Sequence, residues 1–186
     1  MRANRIINYE SILQVLGETG CPFCRFMKNY QASLLQDPAE KEIHHLCNFH
    51  TWGLAATQRA VSAAHHFLNM LERHTGATAA STCDICVLLE MEEDRRIREF
   101  ASLLNHKLVA QWLRLQPILC YAHGTKLKQG VPQVTALAID SILENYRLQL
   151  MQELRRLRDE HQTDSAKWGV LGHAAEFLAA QRGLRR

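Results

Sequence analysis

Eight residues constrain this chain more than anything else in it. Its six cysteines and two of its ten histidines fall into four short motifs. Cys21-Pro22-Phe23-Cys24 and Cys83-Asp84-Ile85-Cys86 are C-x2-C, while Cys47-Asn48-Phe49-His50 and Cys120-Tyr121-Ala122-His123 are C-x2-H. The two kinds alternate along the chain, and no cysteine is left over. The first CxxC and CxxH enclose 22 residues and the second pair encloses 33. The pattern therefore reads as an internal repeat whose second copy is longer by about three helical turns. Neighbouring residues agree in kind: Phe23, Phe26 and Met27 correspond to Ile85, Leu88 and Leu89, and Leu46 and Leu54 to Leu119 and Leu127.

This spacing suits a metal ion. Residues three apart on a helix are surface neighbours, about 5–6 Å between their Cβ atoms, so each motif can offer two donors to one ion. Three sulfurs and one imidazole form a closed tetrahedral set, the usual form of a structural zinc site. Consecutive motifs predict the grouping Cys21, Cys24, Cys47 and His50 for one site, and Cys83, Cys86, Cys120 and His123 for the other. A closed set leaves no position for substrate or activated water, so the motifs lean away from catalysis, and no catalytic residue is assigned. A [4Fe–4S] cluster at each site is the alternative cofactor, because such clusters also take cysteine thiolates. A thiol-redox reading requires the CxxC to follow a buried strand and leaves both CxxH motifs unexplained. The remaining histidines have no such partners. His44 and His45 align with Pro117 and Ile118 in the second copy, and the adjacent His65 and His66 point about 100° apart on a helix, so all four are expected to be bystanders.

Composition bounds the rest. With 186 residues, 47% hydrophobic and 22% charged, the chain is an ordinary globular domain. Nothing approaches the ~20 apolar residues of a membrane span, and the N-terminal MRANRIINYESILQV lacks the form of a secretory signal, so a cytoplasmic location without membrane attachment is expected. The net charge of +3 arises in the last forty residues, which hold 8 basic and 5 acidic side chains. Arg155, Arg156 and Arg158 cluster there, but no interleaved aromatic residues accompany them. A nucleic-acid partner is thus disfavoured against a protein partner.

Apolar residues recur at helical rather than alternating spacing throughout, which predicts an all-α fold. The expected helices cover residues 8–16, 24–36, 39–45, 47–73, 86–104, 107–115, a stretch from Pro132 to about 161, and 166–181. In the 47–73 helix the packed stripe is Trp52, Ala56, Ala60, Ala63, Phe67, Met70 and Leu71. Gly124 to Gly130 is expected to be a loop. In the last helix Trp168, Leu171, Ala175 and Leu178 line one face, with Val170, Ala174 and Phe177 on an adjacent strip. The expected plan is a single helical domain of two similar metal-tied units, 20–76 and 82–161, followed by a docking helix in 164–186.

The tandem CxxC…CxxH order, with Cys21-Pro22-Phe23-Cys24 opening it and Leu46-Cys47-Asn48-Phe49-His50 following, resembles an uncharacterised prokaryotic family of helical proteins, a domain of unknown function. Cys83 to Cys86 and Leu119 to His123 match the same pattern. The resemblance spans roughly residues 20–183 and implies a helical fold and the eight ligands, but no activity.

Overall fold

A computed structural model describes residues 20–36, 42–73, 82–103, 118–159 and 168–179, together with Pro38 and Gln111. Among them are seven helices and no strand: α1 (Pro22–Gln36), α2 (Asn48–Thr57), α3 (Ala60–Arg73), α4 (Asp84–Leu103), α5 (Tyr121–Gln129), α6 (Gln133–Asp159) and α7 (Trp168–Ala179). The protein is all-α, as the periodicity implies. None of these helices is long and apolar enough to cross a membrane. The expected helices at 8–16 and 107–115 lie outside the described residues.

The chain divides into two compact units, and the boundary falls inside α1 and inside α4. One unit takes the described residues up to Phe26 and those from Arg95 onward; the other runs from Met27 to Asp94. In the first, α5, α6 and α7 pack on one another. They enclose a core of Phe23, Ile97, Phe100, Leu119, Leu127, Ile139, Leu143, Leu150 and Phe177, with three of the cysteines among them. Phe23 meets Phe100 edge-on at 5.2 Å, and Phe177 meets Tyr146 edge-on at 5.5 Å. Aromatic pairs at such angles contribute about 0.5–1.5 kcal/mol beyond their buried area. In α7 Phe177 is buried and Val170 and Ala174 are half-buried, whereas Leu171, Ala175 and Leu178 face outward. Of the two strips, the one with Phe177 packs inward, and Phe177 meets both Tyr121 and Tyr146.

The second unit departs from expectation in two places. The 47–73 helix is broken at Gln58 and Arg59. Gln58 adopts an extended backbone, and its side-chain amide donates to the carbonyls of Leu35 and Gln36, which end α1 without helical partners. The break turns the later residues away from the first stripe. Ala63 remains buried, but Leu71 is 68% exposed, and Trp52, which precedes the break, is 71% exposed. The expected helix 39–45 is also absent from its described part. Residues 43–47 are irregular, Glu42 has φ 49°, and the N–H groups of His44 and His45 go to a side chain rather than to a helical turn.

The predicted loop at 124–130 is instead most of α5. The carbonyl of Cys120 accepts the N–H of Gly124, and Leu127 is fully buried. Gly124 suits this helix because Leu143 occupies the space of a side chain: a Cβ there would lie 2.8 Å from both of its terminal methyls. Gly130 closes the helix.

Candidate metal centres

All four motifs adopt one local structure. In each, the first cysteine precedes a helix, and its carbonyl accepts the N–H four residues on: Arg25 to Cys21 at 3.3 Å, Thr51 to Cys47 at 2.9 Å, Val87 to Cys83 at 3.1 Å and Gly124 to Cys120 at 3.0 Å. The second Cys or His then sits in the first turn, one residue triplet later. Cys47 and Cys120 occupy the N-cap with extended backbone and form no side-chain cap hydrogen bond. A Ser or Asp there would turn back onto the helix N–H groups, whereas the sulfurs turn outward to a shared centre. The positive end of each helix dipole lies beside the donors and stabilises negative charge on them.

The structure brings the eight residues into two groups. Cys21, Cys24, Cys120 and His123 form one, and Cys47, His50, Cys83 and Cys86 form the other. The consecutive grouping expected from the motif order is corrected: the first CxxC joins the second CxxH, and the first CxxH joins the second CxxC, so one centre is nested within the other along the chain. Each group lies within one compact unit. Each offers three sulfurs and one ring nitrogen, all within 4.8 Å of one another, and could hold a metal ion. No cysteine is in a disulfide.

Packing explains the grouping. Phe23, inside the first CxxC, belongs to the α5–α6–α7 core and lies 5.5 Å from the imidazole of His123. The core thus draws Cys21 and Cys24 to Cys120. At the inner centre, one Asp84 carboxylate oxygen accepts the backbone N–H groups of His44 at 2.7 Å and His45 at 2.8 Å. The N–H of Asp84 returns to the carbonyl of His45 at 2.9 Å. Asp84, a residue that sequence reasoning passed over, therefore fastens the approach to Cys47 against the turn that carries Cys83 and Cys86. Its place between two ligands was the available signal.

In the outer centre His123 Nδ1 lies 3.6, 3.4 and 3.0 Å from the sulfurs of Cys21, Cys24 and Cys120, and the Cys24 and Cys120 sulfurs are 3.7 Å apart. In the inner centre His50 Nδ1 lies 3.4, 3.3 and 3.5 Å from Cys47, Cys83 and Cys86, with 3.9 Å between the Cys47 and Cys86 sulfurs. Both histidines present Nδ1 and are fully or almost fully buried. Surroundings differ. All four outer residues are buried, whereas Cys47 and Cys86 of the inner group are half-buried. The outer sulfurs border a cleft of about 470 Å³ that also touches Arg25, Tyr146 and Glu176.

Packed thiols cannot all ionise together without a cation. In the outer group the thiols of Cys21 and Cys24 donate to Cys120 and, with His123, hold it far below the ordinary thiol range. Cys24 is pushed far up, first by its hydrogen bond to Cys120. In the inner group burial, followed by Cys83 and Cys47, pushes Cys86 up to about 12. A metal ion inverts this arrangement, because a coordinated thiol is deprotonated outright.

Among the described residues, the other histidines are in neither group. His44, His65 and His173 are exposed and His66 is half-buried; the rings of His65 and His66 are 6.2 Å apart and steeply inclined. No family model, curated protein or solved structure matches the chain.

Proposed function

We propose that the protein is a non-enzymatic, cytoplasmic helical module in which two Cys3His centres each bind one structural Zn²⁺, and that it serves to engage or regulate a protein partner. The donor spacing carries this reading. Zn–S bonds of about 2.3 Å and Zn–N bonds of about 2.0–2.1 Å set tetrahedral sulfurs about 3.8 Å apart, and sulfur and nitrogen about 3.6 Å apart. The sulfur pairs at 3.7 and 3.9 Å and the sulfur–nitrogen pairs at 3.0–3.6 Å fit a single ion at each centre. A [4Fe–4S] cluster attaches each ligand to a different iron and spreads the four donors to roughly 6 Å. That spacing exceeds the 4.8 Å within which all four donors lie.

Four protein ligands complete a tetrahedral zinc, which favours a structural over a catalytic role. The metal replaces thiol protons and ties distant helix starts together. Structural zinc contributes on the order of 10–16 kcal/mol to apparent folding stability. The interaction role is supported by large apolar side chains at the surface of the second unit, with Trp52 71%, Val61 84% and Leu71 68% exposed. Such exposure is common at protein-binding surfaces.

Anaerobic purification followed by elemental analysis and a visible spectrum tests the metal assignment. We expect two zinc ions per chain, no iron and a colourless sample. A brown sample with about four irons per centre would establish the cluster reading instead.

A further inference from the structure

We propose that the inner centre is an oxidant-modified site: a hydroperoxide converts Cys47 and Cys86 to a disulfide and releases the metal, while the outer centre stays intact. The proposal rests on the zinc reading above. Its ground is the difference between two groups with the same four donors. A hydroperoxide is close to water in size, so solvent exposure measures its reach. Cys21, Cys24 and Cys120 are 7%, 3% and 2% exposed, and Phe23, itself 2% exposed, lies beside His123. In the inner group the buried members are His50 and Cys83, and the half-buried ones are Cys47 and Cys86. The two half-buried cysteines are thus in one centre, with their sulfurs 3.9 Å apart. They also come from separate segments, Cys47 just before α2 and Cys86 in the first turn of α4. Forming an S–S bond of ~2.05 Å requires the two sulfurs to close from 3.9 Å.

The steps balance. The Cys86 thiolate attacks the peroxide; its O–O bond breaks, an S–O bond forms, and the departing oxygen takes a proton to leave as water or an alcohol. The sulfenic acid formed is a weak metal ligand. The Cys47 thiolate then attacks that sulfur, the S–O bond breaks, and hydroxide leaves with a second proton as water. Two thiolates are oxidised by two electrons and one peroxide is reduced. The ion, left with His50 and Cys83, dissociates. Thiol reductant and added zinc reverse the change. Exposed, thiolate-rich cysteines are the ones oxidised preferentially, which is why the outer sulfurs are spared.

The test uses the unaltered, metal-loaded protein. Zinc content is measured first, and a sample without zinc at that point would end the zinc reading before any peroxide is added. With two zinc ions present, hydrogen peroxide is added while a chelating dye reports released zinc. Samples are then quenched with a thiol-alkylating reagent and mapped by mass spectrometry. The expected result is one zinc equivalent released with the loss of two thiols, a Cys47–Cys86 cross-link, and full alkylation of Cys21, Cys24 and Cys120 after denaturation. The second equivalent should follow at least roughly tenfold more slowly. Parallel release of both equivalents, first oxidation among Cys21, Cys24 and Cys120, or a Cys83–Cys86 disulfide would each overturn the proposal.

Discussion

A chain in which Cys24 and Cys120 are both replaced by serine should bind one zinc ion rather than two. Their sulfurs are 3.7 Å apart in the same centre, so the double change disables that centre alone. Replacing Cys24 and Cys47 should instead disable both centres and leave no tightly bound zinc, because these cysteines belong to different groups. The nested order also fixes how the centres influence each other. Cys24 and Cys120 are 96 residues apart, and Cys47 and Cys86, between them in sequence, are 39 apart. Closing the inner loop shortens the outer one from 96 to about 58 residues. At about 0.6 kcal/mol per doubling of loop length, that favours outer closure by about 0.4 kcal/mol, or roughly twofold in affinity. Loss of the inner centre through Cys47→Ser and Cys86→Ser should therefore weaken zinc at the outer centre about twofold through chain entropy alone. Elemental analysis of the dialysed variants gives the stoichiometries, and competition with a chelating dye gives the affinity. If the Cys24/Cys120 variant binds no zinc and the Cys24/Cys47 variant retains one, the motifs pair consecutively and the grouping proposed here is refuted.

Three further outcomes follow from particular contacts. Asp84→Ala removes an acceptor shared by two backbone N–H groups; allowing for its half-buried position, it should cost about 1–2 kcal/mol, and zinc should be lost from the inner centre at roughly tenfold lower chelator strength than from the outer. An equal loss at both centres would show that Asp84 does not hold the inner one. Gly124→Ala places a methyl against Leu143, and overpacking of about 1–3 kcal/mol should outweigh the ~1 kcal/mol gain in helix propensity; Gly172→Ala, with open space around it, should keep that gain. Urea midpoints moving in opposite directions would bear this out, and a stabilised Gly124→Ala would not. Finally, the folded, metal-free protein holds the Cys86 proton more tightly than an unfolded chain does. It should therefore lose stability as pH rises from the ordinary thiol value of 9.0 towards about 12, whereas the zinc-loaded protein, already deprotonated at Cys86, should lack that loss. Denaturant titrations of both forms across this range measure the difference, and parallel pH profiles would count against it.

The parts of the molecule that depend on neighbours in sequence were legible before any coordinates. Helical type, the extent of α1 and α4 to within two residues, and the start of α6 beside Pro132 all follow from local periodicity and from that proline. The ligand types were legible for the same reason, because a CxxC or CxxH turn is a local device. The break at Gln58 was not, since it answers two carbonyls at the end of α1 more than twenty residues away. Nor was the helical state of Gly124, which depends on Leu143 filling the space beside it.

The pairing of motifs failed for a more general reason. All four share the hydrogen bond from the N–H four residues on to the first cysteine's carbonyl, so any CxxC can complete a tetrahedral set with any CxxH, and coordination chemistry alone cannot choose. The choice passes to whatever else each motif carries. The first CxxC carries Phe23, which is large enough to join the core around Leu127 and Ile139, and the second carries Asp84, whose carboxylate accepts the two adjacent N–H groups of His44 and His45 in the irregular segment 43–47. Ile85 can do for its unit what Phe23 does for the other, but the matching position in the repeat has no second Asp84: between Cys21 and Cys24 it is Pro22, which has no acceptor side chain. The unequal spacings of 22 and 33 residues point the same way. Two copies of one metal-tied unit would have little reason to differ by three helical turns, whereas nested centres place the connecting helices under no obligation to match.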